Sequence, residues 1–245
     1  MLKSYNNKHY PEEVLPILQQ GGRILDVGGG SAPYCGSSHI IDIQPYNKNR
    51  LLTNAWGTKP PEIDWQPENY TEIDICSKKT WPFDDKEFDL GLCSHTLEDI
   101  RDPISPLMEM MRVSKKILVI CPSRLVEQTM GFDHPAYTGY FHHRWMVSFS
   151  ETQALFQRKT GLLQLKGAHG ICPVGYEIKK ELASTYYYGS SIEPVEIAFW
   201  NEQLEFSNLN HFVKSVDWGN AFTKQDNFTL KKRIWKFRQK LTKSL

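Results

Sequence analysis

The chain has 245 residues, 40% of them hydrophobic, with 29 Lys and Arg against 28 Asp and Glu for a formal net charge of +1. That length suits one α/β domain with an elaboration, or at most two small domains. The balanced charge argues against a nucleic-acid-binding body, and no apolar run approaches the ~18 residues of a membrane span.

The spacing of apolar and turn residues predicts the elements in chain order. Pro11 to Gln20 reads as a short helix that Gly21-Gly22 stops. Arg23 to Val27 and Ser38 to Ile43 read as strands. Residues 45 to 69 hold four prolines and two tryptophans and read as an irregular loop. Tyr70 to Ile75, Phe88 to Cys93 and Ile117 to Cys121 are the next strands. Between the last two, Pro103 to Val113 is helical, with Ile104, Leu107, Met108 and Met111 on one face. Arg124 to Phe149 is long, aromatic and histidine-rich. Ser150 to Thr160 reads as a helix, because Ser150 and Gln153 have capping-box spacing. Leu162 to His169 and Cys172 to Lys179 are strands. From Ala183 to Asn220 the pattern is weak, and Tyr186-Tyr-Tyr188 and Phe199-Trp200 are expected to pack onto the sheet. Strands alternating with helices predict a mostly parallel, doubly wound α/β sheet.

The stretch Arg23-Ile-Leu-Asp-Val-Gly-Gly-Gly-Ser31 is a buried strand ending in a glycine loop, and Ile40-Ile-Asp42 is a second strand ending in a carboxylate. Glycines there let a ligand approach the backbone, and the second carboxylate is placed for a ribose diol. The dinucleotide fingerprint does not fit. Pro33 stands where its third glycine belongs, and Asp42 follows Gly28 sooner than the roughly 20 residues expected. No Gly-Lys-Ser/Thr follows, which excludes the Walker phosphate loop. A nucleoside cofactor without a pyrophosphate remains, and S-adenosylmethionine is one.

At these residues the sequence resembles a known family. Ile24-Leu-Asp-Val-Gly-Gly-Gly30 resembles motif I of the class I S-adenosylmethionine-dependent methyltransferases, usually acidic-x-Gly-x-Gly. Trp81-Pro-Phe-Asp-Asp-Lys-Glu-Phe-Asp-Leu-Gly-Leu-Cys-Ser-His-Thr-Leu-Glu-Asp99 resembles the PF-D-FD and HxLEH signature of the type 11 group. Asp102-Pro103 and the helix reaching Arg112-Val113 continue that pattern. The resemblance spans residues 20 to 122. It implies a Rossmann-like methyltransferase fold with a seven-stranded, mostly parallel sheet and an antiparallel last strand, the final two strands forming a hairpin. On it, residues 1–185 form the methyltransferase domain with an acceptor-site insertion at 124–149, and 186–245 form an extension.

Resemblance and chemistry together assign roles. Gly28, Gly29 and Gly30 let the backbone pass the methionyl and ribose parts. Asp26 orients the loop and reaches the amino group of the methionine moiety. Asp42, with Ile43 beside it, accepts from the ribose hydroxyls, Asp74 reads the adenine amino group and Ile75 meets the ring. Ser94 and His95 close the pocket near the sulfonium. The alternative is that Asp42 and Asp74 are ordinary strand-end carboxylates.

Methyl transfer to a hydroxyl benefits from a general base, for which histidine is best matched. The candidates are His95, His134, His142 and His143, each of which could instead be a structural residue. Asp99 stands where the family carries its second histidine, and as a carboxylate four residues on it is expected to orient the His95 ring. His142, His143 and the scattered aspartates form no recognisable ligand spacing, so no metal is expected. The expected acceptor is a small molecule or a glycan precursor. The rivals are N-methylation of an amine caged by Trp145 and Tyr140, and a cofactor-binding but silent partner subunit.

Residues 224–245 hold eight basic side chains and one acidic, a net of +7, leaving 21 basic against 27 acidic over the other 223. Leu230, Ile234, Phe237, Leu241 and Leu245 make an apolar face on a basic amphipathic helix over 228–245. Three roles fit it: docking on the acidic body or on a second copy in a homodimer, contact with an anionic membrane surface, and, last, nucleic acid. Five cysteines without C-x-x-C spacing read as free thiols. With no signal peptide visible, a cytoplasmic protein is expected, at most touching the inner face of the membrane.

Overall fold

The computed structural model describes residues 2–5, 8–11, 16–17, 21–57, 64–129, 132–133, 137–159, 176–178, 183–197 and 222–224. In chain order the strands and helices begin with β1 (Leu2–Tyr5), β2 (Lys8–Pro11), β3 (Ile24–Val27), β4 (His39–Asp42), α1 (Lys48–Asn54), β5 (Tyr70–Glu72) and β6 (Phe88–Ser94). There follow α2 (Ile104–Val113), β7 (Ser114–Pro122), α3 (Arg124–Glu127), β8 (Trp145–Phe149), β9 (Gln153–Arg158), β10 (Tyr176–Ile178), β11 (Ser184–Gly189), β12 (Glu193–Ile197) and β13 (Phe222–Lys224). The chain divides into two compact units. The first comprises Met1–Pro122, His142–Lys159 and Ser184–Ala198, and the second comprises Ser123–Phe141, Thr160–Ala183 and Phe199–Leu245.

The first unit is built on a six-stranded sheet in the order β11-β7-β6-β3-β4-β5. All neighbours are parallel except β11, which runs antiparallel to β7. Parallel strands covered on both faces read as continuous apolar runs, and all four residues of β3 are buried. Alternation sends Leu25, Val27, Ile41, Cys93, Ile117 and Val119 to one face, where Leu107, Met110 and Val113 of α2 and Trp145, Val147 and Phe156 of the β8–β9 hairpin cover them. Ile24, Leu90, Leu92, Leu118 and Ile120 face the other way, against Tyr34 and Cys35. Ile40 packs there too, with Leu51 of α1, Trp65 and Tyr70. Helices on opposite faces make the sheet doubly wound, as expected. A second, three-stranded sheet has the order β12-β9-β8, and β1 and β2 form an antiparallel ribbon.

In the second unit, Ser123 caps α3 by accepting from the Val126 backbone amide at 3.3 Å. β10 pairs antiparallel with β13.

Several expectations need correction. Six strands of the central sheet are described, and its antiparallel edge is Ser184–Gly189, within the stretch whose pattern was weak. The tyrosines Tyr186 to Tyr188 lie inside that strand. The hairpin expected over 162–179 lies outside the described residues except for Tyr176–Ile178, which pairs with Phe222–Lys224 and not with the central sheet. Residues 150–159 form no helix. Ser150 Oγ accepts from the Gln153 amide at 2.9 Å, closing a turn that leads into β9. The same side-chain bond serves a turn as well as a cap, and burial of Ala154 and Phe156 favours the strand. Inside 45–69 there is a helix, α1, whose Asn47 side chain accepts from the Arg50 amide at 3.0 Å. On α2 the buried stripe is Leu107, Met110 and Val113, while Met108 is 51% exposed. Pro11 ends β2, and most of the helix expected after it lies outside the described residues, as does the amphipathic helix at 228–245.

Candidate functional site

The chain passes from β3 to β4 and β5 on one side of the sheet, then returns to continue with β6 and β7 on the other. In open α/β sheets such a switch point opens a crevice at the carboxyl ends of the strands. Here that crevice is a cleft of about 540 Å³, lined among others by Gly28, Asp42, Asp74, His95, Asp99 and Arg144.

Its floor is the turn after β3. Gly28 has φ +77°, and a Cβ on it would lie 2.4 Å from Thr96 Cγ2 in the loop after β6. Only glycine allows both the backbone conformation and the close approach of the two loops. The backbone amide of Gly30 donates to Asp42 Oδ2 at 2.8 Å, and a Cβ on Gly30 would lie 2.6 Å from Asp42 Cγ. Gly29 packs as closely on the Asp26 carboxylate. Between β3 and β4 there is no helix, so no helix N-terminus faces the cleft from this loop.

Asp42 is fixed from both sides. Its Oδ1 accepts from the Gln44 amide at 2.8 Å, and the Gln44 carbonyl in turn accepts from the Tyr70 hydroxyl at 2.6 Å. Burial, with the Asp42 charge second, pushes the Tyr70 hydroxyl up to about 12, so it remains a donor. Each Asp42 oxygen keeps a further lone-pair direction for a ligand. Arg50 of α1 holds the loop from behind, donating from Nε to the Gly30 carbonyl at 2.8 Å and from Nη2 to Pro45 at 2.7 Å. Nothing in the sequence motif points to Arg50, because α1 itself was hidden.

Asp26 is buried and does not line the cleft. Its Oδ2 accepts from the Tyr34 amide at 2.6 Å, which ties down the far end of the glycine loop. Asp74 lines the cleft with both oxygens engaged, Oδ1 by the Cys76 amide at 2.9 Å and Oδ2 by Arg101 at 2.6 Å. The Arg101 hydrogen bond holds its carboxyl below the usual range. Ile75 is buried at the same wall, while Ile43 is 64% exposed at the rim. Ser94 ends β6 and Thr96, two residues on, reaches the cleft.

His95 sits between them in the left-handed region, at φ 57°, its amide held by the Ile120 carbonyl at 2.8 Å. Strained backbone of this kind concentrates where a side chain must be aimed. The ring does not pair with Asp99 as expected. Its Nδ1 faces Glu98 Oε1 at 3.3 Å, three residues on, because residues 96–99 form a tight turn closed by the Asp99 amide and the Thr96 carbonyl. Glu98 is 1% exposed, and its carboxylate oxygens lack hydrogen-bond partners among the described residues.

Asp99 turns the other way, its Oδ1 lying 3.5 Å from His143 Nε2 and 3.9 Å from His142 Nε2. The segment is pinned there by the Glu98 carbonyl, which accepts from the Arg144 and Trp145 amides at 2.7 and 3.0 Å. His142 and His143 thus meet Asp99 rather than lining the cleft. Trp145 does not offer a cage wall: it is buried, its Nε1 donates to the Ile100 carbonyl at 2.8 Å, and Arg158 lies over its ring at 4.8 Å. His134 lies outside the described residues.

No family model matches the chain, and no curated protein matches it in sequence. Among solved structures it is similar to a Listeria monocytogenes protein assigned as an S-adenosylmethionine-dependent methyltransferase (15% identity, TM-score 0.34, covering 69% of this chain and 79% of that one). It is also similar to an S-adenosylmethionine-dependent methyltransferase from Mesorhizobium loti (17%, TM-score 0.31, 60% and 64%). A third is one from Aquifex aeolicus (18%, TM-score 0.28, 49% and 65%). The matched part thus spans just under two thirds of the Mesorhizobium and Aquifex chains.

Proposed function

We propose that the chain is an S-adenosylmethionine-dependent methyltransferase that O-methylates a hydroxyl of a small molecule or glycan precursor. The observation that carries this is the pairing of Gly28 and Asp42 at the ends of adjacent parallel strands, on one wall of a cleft sized for a small cofactor. A side chain at Gly28 would collide with Thr96, whereas a ligand lying beyond the bare backbone meets Asp42 held ready as a two-oxygen acceptor. The absence of a helix after the glycine turn disfavours a pyrophosphate and suits a nucleoside without one.

When bound, the cofactor supplies a sulfonium methyl group open to direct displacement. The protein's share is alignment and proton handling. Asp42 accepts from the ribose hydroxyls, and Ile75 and Asp74 bound the adenine end, Asp74 sharing itself with Arg101. His95 is the base we assign, because it lines the cleft while His142 and His143 turn to Asp99. Glu98, 3.3 Å from Nδ1, positions the ring, and Nε2 takes the acceptor's proton.

Transfer of tritiated methyl groups into a low-molecular-weight extract tests this. We expect His95→Ala and Glu98→Gln to lower turnover by ~10²-fold with cofactor affinity within a few-fold of wild type. Cofactor binding without transfer to any fraction would instead identify a silent partner subunit. Equal turnover in wild type and His95→Ala would remove the base.

A further inference from the structure

We infer that Asp99, His142 and His143 form a binding site for one divalent transition-metal ion of the Zn²⁺ class at the edge of the cleft. One oxygen of Asp99 and one nitrogen of each histidine lie within 4.8 Å of one another. Zinc bonds near 2.1 Å place neighbouring ligands of a tetrahedral site about 3.4 Å apart. The two distances from Asp99 Oδ1, 3.5 and 3.9 Å, are both slightly longer than that edge, by no more than about half an ångström. Consecutive histidines in a strand would point to opposite sides. Residues 141 to 144 precede β8 and turn, so both Nε2 atoms face the same carboxylate, with the rings edge to face at 4.5 Å.

The surroundings suit an ion that keeps an open position. His143 is buried, His142 is half-exposed, and Asp99 lines the cleft itself. Two imidazoles and one carboxylate select zinc-like ions over Mg²⁺ and Ca²⁺, which prefer all-oxygen shells. The fourth position would take an oxygen ligand from the cleft side, a water or a hydroxyl, and lower its pKa. That the hydroxyl is a methyl acceptor rests on the function proposed above; ion binding does not. The sequence concealed the site because Asp99 stands 43 positions before His142, and the bonds from Glu98 to Arg144 and Trp145 are what join the segments.

The test uses the full chain, stripped with a chelator and titrated with Co²⁺ under visible absorption, then with Zn²⁺ by calorimetry. We expect one ion per chain, d–d bands of a low-coordinate site that Zn²⁺ abolishes, and at least tenfold weaker binding in Asp99→Asn, His142→Ala and His143→Ala. His142 is half-exposed, so His142→Ala keeps the test usable if a buried variant does not fold, with circular dichroism as the check. Absence of binding at 100-fold excess of Co²⁺ and Zn²⁺, or equal binding in wild type and folded His142→Ala, overturns the site. S-adenosylmethionine titrations on the same samples are read separately, so failure of the ion site and failure of the cofactor cleft are distinguishable.

Discussion

Gly28 concentrates two constraints in one residue. Its positive φ costs an alanine about 1–2 kcal/mol, and the new methyl would meet Thr96 at 2.4 Å. We expect Gly28→Ala to lower the thermal midpoint by several degrees and to weaken cofactor binding. The double variant Gly28→Ala, Thr96→Ala should regain part of the midpoint, since it removes the collision and leaves the backbone cost. No recovery in circular-dichroism melts would mean that Thr96 is not the obstacle. The glycines and Asp42 were legible because their work is done by residue type: a bare backbone and a two-oxygen acceptor at strand ends. Glu98 and Asp99 were not. Which of two adjacent carboxylates faces His95 depends on the turn at 96–99, and the tight i,i+3 closure exchanges the roles that helical spacing assigns.

At the scale of elements, the parallel strands announced themselves as apolar runs ending in acidic or small residues, and each was found within a few residues of its expected ends. The elements that misled carry signals with two uses. Ser150 and Gln153 fit a cap or a turn, and α1 hides between prolines with one buried apolar side chain, Leu51. β4 and β5 are joined through His39, whose Nε2 lies 2.8 Å from Thr71 Oγ1. Burial holds the His39 ring below its ordinary value of 6.5. The unfolded chain therefore takes up a proton near pH 6.5 before the folded one does, so acidification through this window favours unfolding. We expect the thermal midpoint to fall between pH 7.5 and 5.5, and to fall less in His39→Gln. Equal slopes for the two proteins would contradict this.

At the scale of the molecule, the order β11-β7-β6-β3-β4-β5 matters most, because it gathers the ends of β3, β4 and β6 around one cleft. Parallel order was readable from alternating strands and helices. The antiparallel edge was not, because Ser184–Gly189 is half-exposed and lacks the apolar run of a central strand. Cys35, Cys76, Cys93 and Cys121 are buried and form no disulfides among the described residues. Burial pushes the Cys93 thiol well above its ordinary value, with the Glu98 charge adding to it. Iodoacetamide at pH 8 should therefore leave Cys93 unmodified in the folded protein and alkylate it in denaturant, as read by peptide mass. Alkylation of Cys93 in the folded protein would show the sheet to be open. What the cleft binds is tested most directly by calorimetry of S-adenosylmethionine with wild type and Asp42→Ala, using NAD as the comparison ligand. We predict one site of micromolar affinity for S-adenosylmethionine, at least tenfold weaker in a folded Asp42→Ala, and no heat from NAD. An absence of binding to wild type at millimolar S-adenosylmethionine, or affinity unchanged by Asp42→Ala, would contradict the assignment of this cleft.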